Sequence, residues 1–135
     1  MKGHTGKQDC ALPVDRSYFT LLAATNLILL PLAIATFGEP FVLWEYALSD
    51  LGVTLTPHGH ANYISFAIFT VNMVAGSGLM VAYGIHCFRQ PSVRHRTVKA
   101  ALAGVAAAGF LVGIAPHVPY QTLHTAGCAA MVGAL

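Results

Sequence analysis

Charge is what this sequence has least of. Only 9% of its 135 residues are Asp, Glu, Lys or Arg, where a soluble domain carries about 25%, so there is too little charge to coat a water-facing surface. The few charges are also clustered, because three long stretches contain none and the charged residues gather between them. A net charge of +2 with histidine neutral offers no electrostatic footprint for nucleic acid. Cysteine is scarce too. Cys10, Cys87 and Cys128 form no CxxC and no other metal spacing, and the latter two sit in apolar surroundings that mark them as small packing residues. There is no P-loop, no GxSxG and no HExxH, so no motif announces a familiar activity.

What fills the chain instead is apolar sequence, 56% of it hydrophobic, with a mean hydropathy of +0.63. A helix crossing the hydrocarbon needs about 20 mostly apolar residues, and the sequence predicts such spans over 18–37, 62–88 and 98–115. Pro31 interrupts the first, a position membrane helices tolerate. Pro116 and Pro119 are expected to stop the third, since proline cannot continue the hydrogen-bond ladder. A fourth apolar run covers 121–135; from Thr122 a helix would extend roughly 21 Å against a core near 30 Å. With no polar flank after it, this half-span reads as part of a longer product. The expected architecture is an all-α membrane helical bundle with three complete transmembrane helices, the start of a fourth, and a short interfacial helix between spans one and two. Residues 1–17 form a cytoplasmic segment in this reading, and 18–135 form the membrane domain.

The loops give the orientation. Lys2, Lys7 and Arg16 precede the first span, and Arg89, Arg94, Arg96 and Lys99 lie between the second and third. The loop between spans one and two holds no basic residue but carries Glu39, Glu45 and Asp50. Basic loops stay cytoplasmic, so the N-terminus is expected inside a cell membrane and the acidic loop outside. A signal peptide is the competing reading of the first span, because Ala33-Ile34-Ala35 resembles a cleavage site; the apolar run is longer than a signal core. Gly109 and Gly113 in the third span, and Gly76, Ser77 and Gly78 in the second, provide small surfaces for close helix approach or self-association.

The segment 39–60 carries most of the chemistry. Phe41, Trp44, Leu48 and Leu51 recur at helical intervals, with Glu45 and Ser49 opposite, which predicts a short amphipathic helix at the outer interface, stopped by Gly52. Trp44 and Tyr46 suit headgroup depth, and Glu39, beside Pro40, reads as a loop residue. His58, His60, His117 and His124 share this side with the three carboxylates, and imidazole with carboxylate is the ligand set of zinc. His58 and His60 converge only if their stretch is extended, because residues two apart diverge on a helix. His124, inside the fourth run, is expected to seek a partner in the bundle, with Asp50 and Glu45 as candidates. The bland alternatives stand beside these: interfacial histidines commonly bind water or loop carbonyls, and an Asp50–His124 pair can be purely structural. His86 suits the C-terminal end of its helix; His4 and His95 read as solvated.

Ser49-Asp50-Leu51-Gly52, a glycine-bearing span, a basic loop, an Ala/Gly-rich span closing in Gly113-Ile114-Ala115-Pro116, and then Leu123-His124-Thr125 together resemble the domain-of-unknown-function 998 family of integral membrane proteins. The resemblance covers roughly residue 40 to the end. It implies further spans, and it singles out Ser49, Asp50, Gly52, Pro116 and His124. The turn departs from the family pattern, with His117-Val118-Pro119 where an acidic residue often follows the proline, so the resemblance implies no carboxylate role there.

Three readings of function follow. The first is a non-enzymatic membrane protein, such as a transporter subunit or an assembly or sensing factor, with a structural or proton-sensitive pair. The second is a membrane-embedded metal hydrolase acting on lipid, similar in principle to ceramidase-type enzymes. There Asp50 and His124, with His58 or His60, bind zinc while Ser49 orients the site. The third is haem held by paired histidines, for which His124 has no clear partner within a span.

Overall fold

Four helices dominate the structure, a computed structural model that describes residues 12–114 and 117–135. They are α1 (Leu12–Ala35), α2 (Tyr63–Arg89), α3 (Arg96–Val112) and α4 (His117–Ala134), with one five-residue 3-10 turn, Leu48–Gly52, between α1 and α2. Among the described residues there is no strand, only an isolated antiparallel bridge between Leu55 and Ala61. Lys2, His4, Lys7 and Cys10, Pro116 and the side chain of His117 lie outside the described residues.

Two helices are long and apolar enough to cross a membrane, over Arg16–Ala35 and Tyr63–Arg89. Both match predicted spans to within a few residues, because an uninterrupted run of apolar residues has few alternatives to a helix that satisfies its own backbone. The expectation of three complete spans is corrected. α3 has 17 residues, about 25 Å of helix against a hydrocarbon core near 30 Å. It ends at Val112, ahead of the prolines, with the Gly113 N–H donating to the Gly109 carbonyl. The fourth helix begins at His117, ahead of the expected 121, and runs 18 residues, about 27 Å and still short of the hydrocarbon core. Position 119 falls in its first turn, where the N–H that proline lacks has no intrahelical acceptor anyway.

The interfacial helix is corrected as well. Backbone bonds from Glu45 and Tyr46 to the Val42 carbonyl close a single turn. The Asp50 carboxylate then accepts the Ala47 N–H at 2.8 Å, taking a donor that a continuing helix would have sent back to the carbonyl four residues earlier. The four apolar residues that suggested one stripe therefore separate. Leu51 is fully buried and Phe41 half-buried, while Trp44 and Leu48 are exposed. Gly52 does end the 3-10 turn, and a β-carbon there would meet the Phe69 ring at 2.8 Å.

The helices pack in sequence order, α1 on α2, α2 on α3 and α3 on α4. One buried cluster joins Leu22, Ala33 and Phe37 of the first arm to Phe69, Met73, Met80, Ala106 and Phe110. Glycine sets the close contacts. The Phe110 ring lies where a side chain on Gly76 would stand, and a β-carbon on Gly109 would come within 2.6 Å of the Gly127 carbonyl oxygen. A polar link crosses the α1–α2 seam, the Asn72 Nδ2 donating to Asn26 Oδ1 at 3.1 Å while Asn26 Nδ2 donates to the Leu22 carbonyl. Ala33, in the cleavage-site-like triplet, is wholly buried within this packing. Leu27, Ile28, Val71 and Val74 form part of a broad exposed apolar surface.

Candidate functional site

The site is built by the segment between α1 and α2. Gly38 follows the end of α1 and lies against the chain at Ala61, where a β-carbon would meet the Ala61 carbonyl oxygen at 2.5 Å. Its N–H donates to Asn62 Oδ1 at 3.2 Å. Asn62, 1% exposed, donates in turn to the Val53 carbonyl at 2.9 Å, and Ser65 Oγ donates to the Leu51 carbonyl. One buried amide thereby ties the end of α1, the chain after the 3-10 turn and the start of α2.

Between these ties the chain makes a tight hairpin. The Thr56 N–H donates to the His60 carbonyl at 2.9 Å, the Asn62 N–H to the Thr54 carbonyl, and the Gly59 N–H closes the turn on the Thr56 carbonyl at 2.8 Å. Gly59 adopts φ +84°, a conformation that glycine enters without steric cost. The stretch is a turn rather than the extended chain that convergence was expected to need, yet His58 and His60 both approach one carboxylate.

That carboxylate is Glu39. Tyr46 donates its hydroxyl to Glu39 Oε1 at 2.8 Å. His58 Nδ1 stands 3.1 Å from both carboxylate oxygens, and His60 Nε2 stands 3.9 Å from Oε2. The Glu39 side chain is only 9% exposed while those of His58 and His60 are 69% and 63% exposed, so the acceptor is sheltered and the proton-binding rings meet solvent. An ionised carboxylate only accepts, so His58 donates to it from Nδ1. Burial pushes the Glu39 pKa upward, but the hydrogen bonds from His58 and Tyr46, the His58 charge and the Thr56 hydroxyl outweigh it and hold the group below 4.5. Tyr46 moves the other way, to about 12, chiefly through its hydrogen bond to Glu39, then burial and the charges of Glu39, Glu45 and Asp50. Phe37 and Phe41 pack edge-on against each other at 5.1 Å, and Phe37 lies 5.5 Å from the Tyr46 ring, fixing the phenol.

The residues singled out by sequence are only partly gathered here. His58 and His60 join the cluster. Glu45 is exposed in the turn beside Tyr46 and acts on it through charge alone. Ser49 is half-buried in the 3-10 turn, and Asp50 is committed to the Ala47 N–H. His124 is buried on α4, its Nε2 3.7 Å from Cys128 Sγ one turn along. Asp50, His58, His60 and His124 therefore do not converge, and among the described residues no group of three His, Cys, Asp or Glu side chains is placed to hold a metal ion. Sequence reasoning passed over Glu39 and took Tyr46 for a headgroup residue. The available signal was weak: a carboxylate between Gly38 and Pro40, opposite a His-Gly-His turn.

No protein-family model matches the chain, and no curated protein and no solved structure matches it either.

Proposed function

We propose that this chain is a non-enzymatic multi-pass membrane protein whose working part is a proton-responsive clasp centred on Glu39. The embedding is supported by the two helices of sufficient length and apolarity and by exposed Leu27, Ile28, Val71 and Val74, side chains that lipid would cover. α3 and α4 cross as shortened helices, accommodated by local thinning and by Arg96 and Lys99 reaching toward the headgroups. The basic turn then lies on the cytoplasmic side of a cell membrane and the 36–62 segment outside, with Trp44, 87% exposed, at the outer interface. The resemblance to the domain-of-unknown-function 998 family belongs to the same proposal and rests on its short motifs.

One observation carries the clasp: a sheltered carboxylate accepts from Tyr46 and His58 together, with His60 beside it. Near neutrality Glu39 is ionised and accepts from Tyr46 and His58 together. Acid that reaches the lowered Glu39 value protonates the carboxyl, removes an acceptor and releases the clasp. The hairpin should therefore hold at neutral pH and loosen as pH falls below 4.5.

The test is amide exchange of residues 54–62 as a function of pH, in the reconstituted protein and in Glu39→Gln. The expected result is protection at neutral pH that is lost as pH falls through the lowered Glu39 value, and weaker, pH-independent protection in the variant. Identical profiles in both proteins would sink the proposal.

A further inference from the structure

At the other end of the molecule, α2 and α3 leave an apolar groove of about 530 Å³ between them. Met80, Ile85 and Phe88 line it from α2, Ala100 and Gly104 from α3, and Arg89, the last residue of α2, stands at its end. Two glycines shape it. Gly84 brings the helices together, since a β-carbon there would stand 3.3 Å from Ala103 Cβ. Gly104 faces open space, with nothing within 4 Å of where its β-carbon would be. The groove's walls remain uncovered, Ile85 being 47% and Phe88 61% exposed.

The charge at this end has no counterpart within the chain's later part. Every Asp and Glu lies at or before position 50, whereas Arg89, Arg94, Arg96 and Lys99 follow within ten residues of one another. Among the described residues Arg89, Arg94 and Arg96 form no ion pair with a carboxylate. An apolar trough ending in an unpaired guanidinium beside further cations fits a molecule with an apolar tail and an anionic head.

We infer that the α2–α3 groove is a binding site for an anionic phospholipid, one acyl chain lying over Gly104 and Gly84 and the headgroup phosphate on Arg89. The bidentate fork of arginine matches a phosphate better than a lysine would, and basic pockets between membrane helices at the cytoplasmic side are suited to such headgroups. The inference rests on the membrane reading above, because it needs the basic end of α2 and α3 at a bilayer surface.

The full chain is reconstituted into phosphatidylcholine vesicles containing a minor share of phosphatidylglycerol, extracted in mild detergent, and weighed by native mass spectrometry. The expected result is one retained phosphatidylglycerol in preference to phosphatidylcholine. Arg89→Gln should weaken retention about fivefold, the loss of one basic contact near the surface. Gly104→Phe, whose β-carbon meets nothing within 4 Å, should abolish it while helical circular dichroism is unchanged. Arg94→Gln, outside the groove, should have the smaller effect. Equal retention of both lipids, or full retention in Gly104→Phe, overturns the lipid site and leaves the membrane reading standing. Failure of the wild-type chain to enter vesicles overturns both.

Discussion

Glu39 shows how much a single side chain's meaning depends on what the fold brings to it. Local sequence gives a carboxylate between a glycine and a proline; the fold adds a phenol from seven residues on and an imidazole from nineteen residues on. The signs of the two shifts follow from that geometry. The folded Glu39 value is depressed, so its contribution to stability is present at neutral pH and is lost as pH falls below 4.5 through the folded value. The folded Tyr46 value is raised, so its contribution is complete below 10 and lost as pH rises from there through about 12. Glu39→Gln removes the largest cause of the Tyr46 shift, and spectrophotometric titration of tyrosinate absorbance should show one tyrosine moving from about 12 toward 10. An unchanged alkaline limb would mean that the Tyr46–Glu39 bond does not persist in solution. Asp50 illustrates the converse. Its chemistry suggested a site, but its carboxylate serves the backbone.

Helices were legible where composition alone decides them. The boundaries of α1 and α2 follow from unbroken apolar sequence, whereas the 41–51 stretch has helical periodicity without one continuous helix. Its periodicity reflected two separate demands, Leu51 packing inward and Trp44 lying outside, which spacing cannot distinguish from one amphipathic face. Glycine in the apolar helices was correctly read as a packing device at Gly76 and Gly109. Gly104 and Gly78, with open space beyond them, show that the residue type alone does not say which glycine faces a neighbour. The contrast is testable. Gly109→Ala places a methyl 2.6 Å from a backbone oxygen of α4 and should destabilise the α3–α4 contact by about 1–3 kcal/mol. Gly78→Ala should be neutral or stabilising by up to about 1 kcal/mol through helix propensity. Reversible unfolding in mixed micelles measures both, and equal effects would refute the assigned α3–α4 packing.

For the whole molecule, charge placement and helix packing make separate statements that agree. Successive helices pack on one another, so the 36–62 segment and the 90–95 turn fall at opposite ends, the first acidic and the second basic. In the proposed orientation, with the basic end cytoplasmic, a cysteine at Thr54 should react in intact cells with a membrane-impermeant maleimide, and one at Ser92 only after permeabilisation, both in a background lacking Cys10, Cys87 and Cys128. The reverse pattern would overturn the orientation. Taken alone, the sequence determined the helical class, the two long apolar helices and the sorting of charge, because these depend on composition over windows of about 20 residues. Only the tertiary structure decided that Glu39 rather than Asp50 gathers the histidines, that Asn26 meets Asn72 across a helix seam, and that Arg89 ends a groove. Each of those rests on contacts between residues far apart in the chain, and no local pattern encodes which distant partner a polar side chain will find.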